Sequence, residues 1–249
     1  MHSALVRIQN VFGFFTTVAF SVAAVIALST FIHPQNPSSS IALNNVQVVN
    51  GRPHYYSYKK EEYAHIKFDL DADLSSLFNW NTKQVFLYLK AVYPSTKRGE
   101  PQSEAVIWDA ILPGAAAPWN QNHYIHPTPK TQSKLKSSKK SKDKAASPYP
   151  RGIIKISNQR PKYQITDITG KLQNRTDVRL ELGWNVQPWV GALLWTNSHD
   201  FGTWKALEGG QSEPFDFPVK GKKTDLRTAK GKEGHRLMAG EEQPVRKSG

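Results

Sequence analysis

The 249-residue sequence contains no cysteine, which excludes disulfide scaffolds, zinc sites with cysteine ligands and cysteine nucleophiles. It also lacks a glycine-rich phosphate loop and the Gly-x-Ser-x-Gly setting of many serine hydrolases. Methionine occurs only twice. Because 39% of the residues are hydrophobic, the chain can still bury a core without disulfide bonds.

Acidic residues are few relative to basic ones, and the net charge of +13 falls mainly in two segments. Residues 128–148 carry seven lysines and one aspartate, and residues 219–249 carry nine basic and four acidic side chains. Neither segment has apolar periodicity, so we predict a disordered insertion at 128–148 and a disordered tail at 219–249. No aromatic residues alternate with the lysines of the insertion, and we expect no nucleic-acid partner.

One 22-residue run, from Val11 to Ile32, has no charged side chain. As a helix it would span roughly 33 Å, about one hydrocarbon core, which predicts a transmembrane signal anchor. A cleaved signal peptide is the alternative, since Ala27-Leu28-Ser29 offers small residues for processing. The run is longer than the usual apolar region of a cleaved peptide, and this favours a retained anchor.

The basic residues that flank this run predict its orientation. Arg7 precedes it, whereas no lysine or arginine follows until Arg52. The positive-inside rule therefore places residues 1–10 in the cytoplasm and the remaining chain across the membrane, a single-pass type II topology. An N-glycosylation acceptor at Asn174 agrees with a lumenal domain, while the one at Asn36 is blocked by Pro37.

The rest of the chain is patterned mostly as strands. Apolar and polar residues alternate over 64–70 and 178–186, as in half-buried strands. Residues 84–93 and 105–112 are almost continuously apolar, which is typical of strands covered on both faces. With shorter candidates at 43–49, 153–156 and 163–168, the sequence predicts a mainly β protein whose residues 33–218 form one antiparallel β-sandwich.

Three aspartates in the sequence Asp69-Leu70-Asp71-Ala72-Asp73 suggest a metal site. A calcium loop is excluded, because Leu74 and Trp80 stand where glycine and glutamate are required. An Asp-x-Asp element at Asp69 and Asp71 would suit a metal-dependent lumenal glycosyltransferase. The alternating strand and helix pattern of such enzymes is missing, which favours outward-facing aspartates with Asp71 or Asp73 capping a single helical turn at 73–78.

Histidine and tryptophan give the other candidates. His123, His126, His54 and His65 have no paired carboxylate motif, so we predict no metal and no cofactor. Four tryptophans fall within 21 residues. Trp184 shares the apolar face of its strand and is predicted to lie in the core. For Trp189 and Trp195, a protein interface or the lumenal headgroup level is as good a prediction as the core.

Several stretches resemble the subunit 3 family of eukaryotic signal peptidase complexes, the 22/23 kDa subunit. Residues 68–74, 77–81 and 83–89 form one matching region, and residues 174–178 with 180–188 form a second. A short third element is 106–109. The matching positions singled out as family-motif and structural residues are Phe68, Asp69, Asp73, Leu74, Phe78, Trp80, Asn81, Leu87, Trp108, Trp184 and Asn185.

The resemblance implies a non-catalytic subunit of the endoplasmic reticulum membrane, part of a hetero-oligomer, whose lumenal sandwich supports a separate serine protease subunit. That partner removes signal peptides from nascent secretory chains. In the partner the nucleophilic serine precedes a methionine, and here neither Met1 nor Met238 follows a serine. The insertion and the tail depart from the family pattern, but both are low in apolar content and do not alter the predicted function.

Overall fold

The computed structural model describes residues 3–96, 99–114, 151–197 and 199–226. Its first element is the helix α1, Ala4–Ser29, which continues into a 3-10 turn at Thr30–Ile32. The predicted run at Val11–Ile32 is therefore confirmed as helical, but the helix begins seven residues earlier, because Arg7 does not interrupt it. Within Ala4–Ile32, an 18-residue stretch has a mean hydropathy of 2.3 and contains no buried residue, so this helix is suited to span a membrane.

Eight strands follow in the described part of the chain, and they form two four-stranded sheets. The strands are β1 Ser38–Gly51, β2 Glu61–Asp73, β3 Thr82–Tyr93, β4 Ser103–Pro113, β5 Ile153–Gln159, β6 Arg179–Pro188, β7 Leu194–Trp195 and β8 Lys223–Asp225. The first sheet has the order β5-β2-β1-β8 and the second has the order β4-β3-β6-β7. Every ladder between these strands is antiparallel.

The inward-facing residues of both sheets pack into one hydrophobic core. In β2 the buried side chains recur at every second position from Ala64 to Ala72, as the alternating pattern predicts. Trp184 from β6 is 1% exposed within this core, which confirms its predicted placement. Phe68 and Trp108 meet edge to face across the two sheets, with ring centroids 6.0 Å apart. The predicted sandwich is thus confirmed.

The outer face of β3 corrects one expectation. Residues 84–90 of the predicted strand alternate between core residues and half-buried outward residues, and only residues 91–93 are buried at every position. The strand predicted at 105–112 is not covered on both faces either, since Val106 is 45% and Ile111 50% exposed. Its outward aromatic rings, Phe86 and Tyr88, stack on each other at 5.9 Å. Tyr88 also covers Gly183 of β6, where a Cβ would come within 2.3 Å of the tyrosine ring. Mutual stacking and a glycine partner explain why aromatic residues occupy an outward face.

Two further expectations differ from the structure. The predicted strand at 163–168 is wrong: only Ile165 pairs, in a single bridge to Ala64, and Ile168 is fully exposed. The tail was predicted to begin at 219, but β8 pairs with residues 45–47 of β1, so the ordered chain extends further. The insertion 128–148, His123, His126 and the rest of the tail lie outside the described residues.

An ion pair fixes the loop between β5 and β6. Arg175 donates to Asp167 at 2.6 Å, and both side chains are about nine-tenths buried. Arg175 also donates to the carbonyl oxygen of Pro94 and lies over the Tyr93 ring. Burial alone would raise the pKa of Asp167, but hydrogen bonds from Thr169 and the charge of Arg175 outweigh it and lower that pKa. The pair is the most enclosed of the described salt bridges.

Candidate membrane-proximal interface

The helix and the sandwich are joined by specific contacts at the carboxyl end of α1. The Phe31 ring stacks on Trp204 with centroids 5.1 Å apart and planes 10° from parallel. The Trp204 indole nitrogen donates to the carbonyl oxygen of His33 at 3.1 Å. Backbone hydrogen bonds then link Gln35 to residues 203 and 205, at 3.1 and 2.7 Å. These contacts join the sandwich directly to the carboxyl end of α1.

A second contact to the helix comes from the segment Trp189–Leu193, which we call the tip. It follows β6 and contains only apolar residues. Gly191 adopts a φ of 121°, and a Cβ at this position would lie only 3.3 Å from the Cβ of Ala27 in α1. The positive φ favours glycine at this position, and the contact with Ala27 leaves little room for a larger residue.

Asn81 is the residue that holds the tip. Its side-chain amide donates to the carbonyl oxygen of Val190 at 2.7 Å and accepts from the Val190 amide at 3.1 Å. The backbone carbonyl oxygen of Asn81 accepts from the backbone amide of Trp189 at 2.8 Å. Asn81 is 1% exposed, so these bonds form away from solvent. The sequence singled out Asn81 only through the family pattern, and the structure supplies its physical role.

The structure separates the two tryptophans that the sequence grouped together. Trp189 lies on the tip beside the membrane helix and is 53% exposed. Trp195 lies in β7 and pairs with Asn185, whose side chain points away from the core face that carries Trp184. Trp195 is 60% exposed on that outer face. The core alternative is therefore wrong for both, and they occupy two different surfaces.

The other predicted positions divide into three groups. The side chains in the core are Phe68, Leu74, Leu87, Trp108 and Trp184, with Phe78 partly buried against them. The buried polar side chains are Asn81 and Asn185, whereas Trp80 is largely exposed next to Asn81. Asn174 is exposed, so its side chain is accessible, and its backbone has a positive φ of 59°.

The aspartates at 69, 71 and 73 are engaged separately, which does not support the transferase hypothesis. Asp69 accepts hydrogen bonds from the Asn44 side chain and the Asn158 amide. Asp71 pairs with Lys155 at 3.6 Å on the exposed outer face of the first sheet. No group of three or more His, Asp or Glu side chains that could hold a metal ion is found within the described ranges.

Asp73 serves the short helical turn instead. Its carboxylate accepts from the Ser75 hydroxyl at 2.6 Å and from the Ser75 amide at 3.0 Å. Those two hydrogen bonds lower the pKa of Asp73. The predicted single turn is present as a 3-10 turn at Ser75–Leu77. Its N-cap is Leu74 and not Asp71 or Asp73, so the predicted cap is wrong, and Asp73 instead accepts from Ser75, the first residue of the turn. His54 is exposed and His65 half-buried, each within a strand or hairpin and without a metal-binding cluster.

Comparison with known proteins gives one consistent result. A family model described as signal peptidase subunit matches residues 1–125 and 141–205. The chain is 33% identical over 204 residues to signal peptidase complex subunit 3 of Saccharomyces cerevisiae, covering 78% of this chain and 91% of that protein. The Yarrowia lipolytica subunit 3 is 31% identical with the same coverage. The Gallus gallus subunit 3 is 28% identical over 78% of this chain and 87% of that protein.

Proposed function

Because this chain belongs to the signal peptidase subunit family, we propose that it acts in the endoplasmic reticulum membrane with its sandwich on the lumenal side. It is a non-catalytic accessory subunit of the signal peptidase complex, in which other subunits carry the catalytic role. The observation that carries the proposal is the family match, which covers both the membrane helix and the sandwich.

The accessory role fits the physical organisation of the chain. A helix long enough to span the bilayer is joined to a rigid β domain by stacking and backbone hydrogen bonds. Such a unit can hold a surface at a fixed height above the membrane. We assign it the task of supporting the serine protease subunit that removes signal peptides from nascent secretory chains.

The outer face of the second sheet is the surface we assign to the protease subunit. Ile111 is 50% exposed there, beside the half-buried Phe86 and Tyr88, and Trp195 adds a further exposed ring. Tryptophan is enriched at protein interfaces. Its position next to the membrane-proximal end suits a membrane-anchored partner.

The experiment is a mild-detergent pull-down of the tagged full chain, with mass spectrometry and a preprotein-cleavage assay on the eluate. We expect the other subunits and peptidase activity to copurify, and the activity to disappear when the partners are stripped away. Peptidase activity that remains on the isolated chain, or an eluate without partners, would contradict the accessory role.

A pair of matched variants tests the proposed contact surface. Trp195→Ala should reduce the amount of copurifying protease subunit, whereas Tyr58→Ala, an exposed aromatic on the β1–β2 hairpin, should not. Equal recovery from both variants would exclude Trp195 from the interface and leave the accessory role itself intact.

The type II orientation and the glycan are proposed together. Arg7 precedes the uncharged run Val11–Ile32, and Asn174 lies exposed on the sandwich. Asn174→Gln should abolish a shift in gel mobility caused by endoglycosidase treatment, while Asn36→Gln, at the site blocked by Pro37, should leave it unchanged. A chain that shows no shift before mutation would contradict glycosylation at Asn174.

A further inference from the structure

The position of the tip along the membrane helix can be worked out from Arg7. A charged side chain is costly within the hydrocarbon core, so the core begins no earlier than Ile8. About twenty helical residues cross a core of roughly 30 Å. Counting from Ile8 puts the far boundary at about Ala27, and counting from Val11, after the polar Gln9 and Asn10, puts it at about Thr30. Ala27 is the residue that approaches Gly191 of the tip.

The tip therefore lies at the boundary between hydrocarbon and headgroups, or within about one helical turn inside it. The apolar segment continues from Ala27 to Ile32, roughly 8 Å further along the helix axis. This extra length is comparable to the headgroup layer, which is about 5–7 Å thick on each side. The Phe31 and Trp204 stack lies at the outer end of that layer, and the tip lies at its inner boundary.

The chemistry of the tip suits this depth. Its sequence, Trp-Val-Gly-Ala-Leu, has no charged or hydroxyl side chain, and Trp189 and Leu193 are each about half exposed. The Lys83 ammonium lies 5.5 Å from the Trp189 ring centre. Tryptophan is enriched at the membrane interface, and a neighbouring lysine can reach lipid phosphates from there.

We infer that the tip, residues 189–193, enters the lumenal leaflet and contacts lipid at the boundary between headgroups and acyl chains. We assign the bilayer, and not a partner protein, as what surrounds the tip, because the tip lies directly against α1 within the apolar stretch of that helix. Asn81 positions the tip, and Gly191 allows it to lie against α1. The inference depends on the proposed function only for naming the leaflet lumenal.

The absence of cysteine allows this depth to be measured with a single label. Leu193→Cys and Tyr58→Cys, both at exposed positions, would each carry one nitroxide on the full chain reconstituted in phosphatidylcholine vesicles. Tyr58 is the control, because it lies on the hairpin beyond Gly51, at the end of β1 opposite to the membrane and roughly 40 Å from Ser38.

We expect the label at 193 to collide more with oxygen and less with a water-soluble nickel chelate than the label at 58. The same aqueous collision rates at both positions would overturn the inference. So would a label at 193 that is aqueous in vesicles and becomes shielded only when the other subunits are added, since the tip would then be a protein contact.

Quenching of tryptophan fluorescence by lipids brominated near the headgroup gives an independent reading without a label. Trp189→Phe should remove more of the quenched signal than Trp195→Phe, its control of similar exposure. Equal losses would count against lipid contact by the tip. An aqueous tip in a chain that still copurifies peptidase activity would refute this inference alone, whereas a chain without partners would refute the proposed function.

Discussion

Trp184→Ala is the substitution that should damage the sandwich most directly. Trp184 is 1% exposed, and a buried aromatic side chain removes about 150–250 Å² from water. At about 25 cal/mol per Å² this burial is worth roughly 4–6 kcal/mol, of which alanine recovers a small part. The Trp184 indole nitrogen has no hydrogen-bond partner among the described residues, so no hydrogen bond is lost. We expect destabilisation of ~3–5 kcal/mol.

The measurement is thermal unfolding of the full chain in mild detergent, followed by far-ultraviolet circular dichroism. For a domain of this size, the expected loss lowers the midpoint by roughly 6–20 °C. Trp195→Ala is the matched control, because it removes the same side chain from a site that is 60% exposed in the same sheet. If the two variants melt at the same temperature, the assignment of Trp184 to the core is refuted.

Three further predictions concern other contacts of the sandwich. Gly183→Ala should lower the urea midpoint because the new Cβ would meet the Tyr88 ring at 2.3 Å, and adding Tyr88→Ala should recover part of the loss in a double-mutant cycle. Asp167→Asn should lower the free energy of unfolding above about pH 4 and remove part of its dependence on acid pH. The lowered pKa of Asp167 gives the wild type stability that is present above the unfolded-state pKa and is lost as pH falls through the folded-state pKa. Parallel curves of unfolding free energy against pH for the two proteins would contradict this. Asn81→Ala should cost about 1–3 kcal/mol, since it removes two part-buried hydrogen bonds to Val190, each worth about 0.5–1.5 kcal/mol, and it should speed hydrogen exchange in the tip. Unchanged exchange would show that Asn81 does not hold the tip.

The long strands could be predicted because burial of one sheet face imposes an alternation that is visible in the chain. Residues 64–70 and 178–186 carry that signal; the first segment lies within β2, and the second lies within β6 except for Val178, which makes an isolated bridge to Phe215. The segment 163–168 shows a similar alternation of apolar and polar residues, yet only Ile165 lies in the core. β7 and β8, with two and three residues, are too short to produce any period. Their formation depends on the edges that longer strands offer them.

The sequence by itself determined the membrane helix, the mainly β domain, the burial of Trp184 and the family, because each depends on local composition, periodicity or a run of matching residues. Only the tertiary structure decided which surface each tryptophan occupies. Trp189 and Trp195 are six residues apart, and their separation depends on how the tip turns against Ala27 while β7 returns to pair with β6. Contacts between residues 27 and 191, or 31 and 204, join distant parts of the chain. No local pattern encodes them, because they exist only once both sheets and the helix are in place.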